Sequence, residues 1–250
     1  MEVHHHPNVE KKSFKAYFLE FLMIFLAVTM GFFAENIREH LGEGQKEKEY
    51  ISSLVKDLEY DTAEYRDYIR SFERRLPFFD SVIRFLNAPA AYNNRLSYKF
   101  WGRTDYIGVY IPEEPTIQQL KNSGNLRLLK NNKILDSVLV YDSHIQGTYL
   151  SMVNYLREFH QHLGQVKEKV LDISKFSQYL DDFSRDKVNE NDDYGFTVVA
   201  RDREAINELI GSYVNLKSAD VYYIWHLKER NKEAENLLTL IKKEYYWGNE

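Results

Sequence analysis

Residues 16–34 read AYFLEFLMIFLAVTMGFFA, nineteen positions from Ala16 to Ala34 with a single charge among them. A helix rises 1.5 Å per residue, so about 20 apolar residues are needed to cross the roughly 30 Å hydrocarbon core of a bilayer. A soluble-core helix of that length normally keeps a polar face, and this stretch has none. It therefore predicts a transmembrane helix over 16–35. A cleaved signal peptide fits less well: the apolar run exceeds the usual length, and Phe32 and Ala34 do not form a small-x-small cleavage site.

Working outward, Lys11, Lys12 and Lys15 precede the span, while Glu35, Arg38 and Glu39 follow it. The positive-inside bias predicts a cytoplasmic tail over 1–15 and places the chain beyond Asn36 outside. His4, His5 and His6 lie in that tail, where consecutive residues preorganise no metal site.

Within the span, Glu20 shares a helical stripe with Ile24, Ala27, Gly31 and Ala34. Ala27 and Gly31 form a small-xxx-small pair that lets another helix approach closely. Three roles stay open for Glu20: reaching headgroups or lysines at the cytoplasmic interface, hydrogen-bonding to a partner helix, or taking part in a proton relay. This stripe is the predicted helix-packing face.

After the span, Gly42 and Gly44 in LGEGQ predict an interrupted helix, a hinge or juxtamembrane linker over 36–45. Residues 46–250 then carry three long apolar seams. The first runs through Leu58, Thr62, Tyr65, Ile69, Phe72, Leu76, Phe79, Ile83 and Leu86, with Pro77 inside it predicted to kink or divide the helix. The second runs from Val138 to Val170, and the third from Ile206 to Ile241. Three helices of about 40–45 residues, each roughly 60–65 Å long, predict an elongated up-down-up bundle. The fold class expected is thus mostly α: one N-terminal transmembrane helix, then three long helices with a small distal cap.

The cap is assigned to 88–130. It holds a loosely alternating stretch, Tyr98 to Ile111, that reads as a short hairpin. Thr116-x-x-Gln119 after Pro115 reads as a capping box opening a short helix, which Asn122-Ser123-Gly124 would close with a left-handed glycine. The other connection, 176–200, is acidic and reads as a solvated, membrane-proximal loop. It lacks the ligand spacing and central glycine of a calcium-binding EF-hand loop.

Bulk properties exclude more than they specify. A net charge of −5 with no clustered basic face argues against nucleic acid. The absence of cysteine removes disulfides, thiol catalysis and Cys-based zinc sites. With 19 Tyr and 15 Phe the chain has much to bury.

KAYFLEFLMIFLAVTMGFFAENIREH, with the histidines before it, resembles the N-terminal anchor of a Bacteroidota-type family of single-span membrane proteins. TIQQLKNSGNLRLLKNNKILDSVLVYD, Thr116 to Asp142, is similar to a helix–SG–helix element of the same group. Together they cover about a quarter of the chain. The resemblance implies a Gram-negative inner membrane with the helical domain in the periplasm, and it brings no activity and no catalytic residues.

No P-loop, dinucleotide fingerprint, nucleophile elbow or zincin motif is present in the sequence. Glu158 and His162, four apart, read as helix-surface partners before a metal site. No catalytic, cofactor-binding or metal-ligating residue is assigned, and the chain is not expected to be an enzyme. The expected partners are membrane lipid and either further copies of the chain or other inner-membrane subunits. The leading expectation is a structural or accessory protein acting through helix–helix association. A periplasmic ligand sensor is the alternative, and with about fifteen residues before the span it needs a partner to carry its signal. Direct participation of Glu20 in ion or proton movement is a third, and it too requires an assembly.

Overall fold

A computed structural model of the chain describes residues 13–89, 104, 108–112, 114–185, 187, 197–200 and 202–246. The histidine tail, Tyr98, Trp101, Tyr106 and most of the acidic run lie outside these residues. The protein is mostly helical, with five α-helices among the described residues: α1 (Phe14–Leu86), α2 (Pro115–Asn122), α3 (Asn132–Val170), α4 (Ser174–Ser184) and α5 (Arg203–Tyr246). A 3₁₀ turn follows α2 at Asn125–Leu128, and two short strands, β1 (Leu171–Asp172) and β2 (Thr197–Val198), pair antiparallel. The chain divides into two compact units, Met1–Ser52 and Ser53–Glu250.

In the first unit, α1 is long and apolar enough to cross a membrane. Its most apolar window has a mean hydropathy of 2.0, and none of that window is buried. Thr29 donates its hydroxyl to the Phe25 carbonyl at 2.7 Å, which satisfies that hydroxyl within its own helix. The expected interruption at Gly42 and Gly44 is absent, since both are helical. Two glycines weaken a helix by only about 1 kcal/mol each, too little to break one continued on both sides.

The second unit is built on the three seams. Each seam residue read from the sequence is buried or half-buried. Phe79, Val82 and Leu86 of α1 join Leu156, Leu163 and Val166 of α3, and Leu209, Tyr213 and Leu216 of α5, in one core. Full burial of such a side chain stabilises by about 1.5–3 kcal/mol. Pro77 lies inside α1, so of the two expected outcomes, a kink or a division, the division does not occur. The packed seam on both sides offsets the one hydrogen bond its ring removes.

The helix directions correct the sequence reading. Glu59, Arg66, Glu73 and Asp80 of α1 meet Lys242, Glu235, Lys228 and Lys217 of α5, so these two helices are antiparallel. On α3, Asn131, His144 and Thr148 meet Glu244, Glu233 and Arg230 of α5, which is antiparallel again. α1 and α3 therefore run the same way, with α5 opposed to both, and the order is not up-down-up. The physical reason is the long 88–130 connection. Of its described residues, Tyr110 and Thr116 bond to Asp61 and Asp57 of α1, so by that point the chain has come back along α1 from Leu86. The Leu86 end is closed by the other connection, where Leu171 and Val198 join the core beside Val82 and Leu86. That connection, expected as a solvated loop, also contains α4 and β2.

Local signals are mixed. Gly124 closes α2 in the left-handed conformation at φ 69°, as its sequence predicts. The capping box does not form. Glu114 is the N-cap, Pro115 takes the first turn, and the Thr116 N–H is satisfied at 3.1 Å by Asp57 from α1. A tertiary acceptor has replaced the local one. Asn131 caps α3, accepting from the N–H groups of Lys133 and Ile134 at 3.0 and 3.3 Å.

Candidate functional site

Two features stand out, one in each unit. In the first, Glu20, Ile24, Ala27, Gly31 and Ala34 all lie on exposed helix surface. A side chain at Gly31 would meet nothing within 4 Å, so no contact with the described residues requires a glycine there. The surroundings are wholly apolar: Tyr17, Phe18, Phe21, Phe25, Phe32 and Phe33 are each more than half exposed. A continuous apolar surface of this size marks contact with a membrane or another protein. Gly42 is exposed and Gly44 half-buried, both in helix.

In the second unit the notable group is buried and polar. Asp61, 1% exposed, accepts from the hydroxyls of Tyr110 at 2.6 Å and Tyr141 at 3.0 Å. The Tyr110 N–H in turn donates to the Tyr223 hydroxyl at 2.8 Å. One carboxylate thus ties together α1, α3 and the returning connection, and the tyrosine chain extends the tie to α5. Rings reinforce it, with Tyr65 edge-on to Tyr110 at 4.8 Å. Burial pushes the hydroxyls of Tyr65, Tyr110, Tyr141 and Tyr223 well above the usual tyrosine range. Neutral hydroxyls facing a carboxylate act as donors, so this is a clasp holding the crossover in place.

A second buried tie lies further along α1. Arg75 makes a two-pronged ion pair with Asp220 of α5, and the two side chains are 6% and 0% exposed. The guanidinium carbon sits 4.4 Å from the Phe72 ring centroid and 5.7 Å from that of Phe79. Burial pushes the Asp220 carboxyl up, and the Arg75 hydrogen bonds and charge oppose that shift. A third network joins the connection to α3: Lys121 bonds Asp142 at 2.7 Å, and Gln146 bonds Glu114 at 2.8 Å.

These ties were missed at the sequence level although a signal existed. Asp61 sits between Leu58 and Tyr65, and Asp220 between Leu216 and Ile224, on core seams where apolar residues are expected. Glu158 and His162 are both exposed on α3. An open groove of about 350 Å³ runs between α3 and α5, lined among others by Ser137, Val140, Glu233 and Asn236.

No protein-family model, curated protein or solved structure matches the chain.

Proposed function

We propose that this chain is a membrane-anchored structural or accessory protein. It holds a rigid helical bundle at a membrane surface and acts through helix–helix association with itself or with a membrane complex. The observation that carries this reading is the apolar window of α1, none of which is buried. Its one reasonable cover is lipid together with other helices, and the open notch at Gly31 favours the latter along one stripe. The lysine excess before the span and the resemblance of its sequence favour an inner membrane, with the N-terminus in the cytoplasm and the bundle in the periplasm. The buried clasps support rigidity: the Tyr110 and Tyr141 hydroxyls donate to Asp61, and Arg75 pairs with Asp220, each tying separate helices or the connection together.

The test is purification of the full chain at native level in mild detergent, with native mass determination and identification of co-purifying proteins. Association at fixed stoichiometry is expected, and it should weaken when Ala27 and Gly31 are both replaced by isoleucine. A monomer mass with no companion overturns the reading. A ligand sensor is the second reading, favoured by the groove between α3 and α5. It predicts a small molecule retained through purification that raises the melting temperature when added back.

A further inference from the structure

We propose that the outer face of α5 is a self-complementary docking surface on which a second copy of this chain packs antiparallel, about a two-fold axis at Ser218. This deepens the association proposed above by assigning it a surface outside the membrane stripe.

The face is apolar where a surface helix is usually charged. Val214, Val221, Tyr222 and Trp225 are 48%, 51%, 50% and 54% exposed. The Tyr222 and Trp225 rings are stacked, with centroids 6.0 Å apart and planes 16° apart, which makes them a preformed platform with little freedom to lose on binding. One turn beyond Val214 lies Gly211, where a Cβ would meet nothing within 4 Å. The helix therefore carries a bulky knob and an open notch on one face.

A two-fold axis crossing α5 at Ser218 pairs residue 218 + n with residue 218 − n of the other copy. Trp225 then meets Gly211, knob against notch, and Tyr222 meets Val214. At the rims Lys228 meets Glu208 and Lys232 meets Glu204, all four exposed. Lys228 already bonds Glu73 of its own chain at 2.7 Å, and its ammonium has donors to share. Parallel packing of the same face would set Glu208 against Glu208, Lys228 against Lys228 and Trp225 against Trp225. Charge and size both select the antiparallel arrangement.

The face from Glu204 to Lys232 is about 42 Å long. At about 10 Å wide it covers roughly 400 Å², half of the ~800 Å² per partner in a standard stable interface. The pairing is accordingly weak by itself and rises with protein concentration.

The natural chain has no cysteine, so any introduced thiol is the only one present. The experiment uses the full chain in mild detergent, where the anchors impose no common plane, with oxidative cross-linking of three single variants. Ser218→Cys should cross-link to itself. Asn207→Cys and Glu229→Cys should each fail alone and cross-link when mixed. Glu204→Lys with Glu208→Lys should reduce the Ser218→Cys product at least several-fold, and adding Lys228→Glu with Lys232→Glu should restore it. Self-cross-linking of Asn207→Cys and of Glu229→Cys would mean parallel packing and overturn the proposal. No Ser218→Cys product alongside a native mass above the monomer would overturn it while leaving association through the membrane stripe standing. A monomer mass with no product would overturn both.

Discussion

Replacing Asp220 with asparagine keeps the side-chain shape and removes the carboxylate charge that faces the Arg75 guanidinium, itself 6% exposed. Breaking a buried pair from one side typically costs about 3–5 kcal/mol, most of it the penalty of an uncompensated buried charge. The Phe72 and Phe79 rings beside Arg75 remain, and a desolvated cation–π contact retains up to about 2 kcal/mol. The expected loss is therefore near the lower end, about 3 kcal/mol. At roughly 2–4 °C per kcal/mol for a domain of this size, the melting temperature should fall by about 6–12 °C. Urea unfolding of the detergent-solubilised full chain, followed by far-ultraviolet circular dichroism, should show a lower midpoint at unchanged slope. The exposed pair Arg66–Glu235 is the internal control, and Glu235→Gln should cost under about 1 kcal/mol. Replacing both buried partners, Arg75→Met with Asp220→Leu, should recover most of the loss. If Asp220→Asn costs no more than Glu235→Gln, the account of this tie is wrong.

Three further outcomes follow from the same geometry. Tyr65, Tyr110, Tyr141 and Tyr223 are held neutral by burial, whereas in the unfolded chain they ionise near pH 10. The unfolded state then binds fewer protons, so stability is full below pH 10 and falls above it by up to about 1.4 kcal/mol per pH unit for each tyrosine; midpoints that stay level to pH 11 would contradict this. Pro77→Ala should stabilise by about 1–2 kcal/mol, because it restores a hydrogen bond in a helix that already continues through the site, and a measured loss would refute that account. Gly124→Ala should cost about 1–2 kcal/mol from its left-handed φ of 69° alone, since a Cβ there meets nothing, and Gly124→Asn should cost less.

The salt-bridge ladder between α1 and α5 shows how a partner's position is fixed by many small terms. Glu59, Arg66 and Glu73 recur every seven residues and meet Lys242, Glu235 and Lys228, so the sign alternates along the ladder. Each exposed pair contributes under about 1 kcal/mol, but a one-heptad slip would set Glu59 against Glu235 and Arg66 against Lys228. The ladder therefore acts on register more than on stability.

The amino-acid sequence by itself determined the features that depend on neighbours along the chain. The apolar length of 16–34, the period of the three seams and the left-handed Gly124 are local properties, and each is present in the folded chain. The structure alone decided what depends on residues far apart. Apolar spacing says which face of a helix is buried but not which way its neighbour runs, so the parallel setting of α1 and α3 was invisible until Asp57 and Asp61 were seen to hold Thr116 and Tyr110. The same holds for the capping box, where a distant carboxylate displaced a local partner, and for Gly42 and Gly44, where flanking helix outweighed two weak residues. Asp61 and Asp220 looked like interruptions of apolar seams. A buried carboxylate is tolerable only with its donors in place, and those donors lie 49 and 145 residues away.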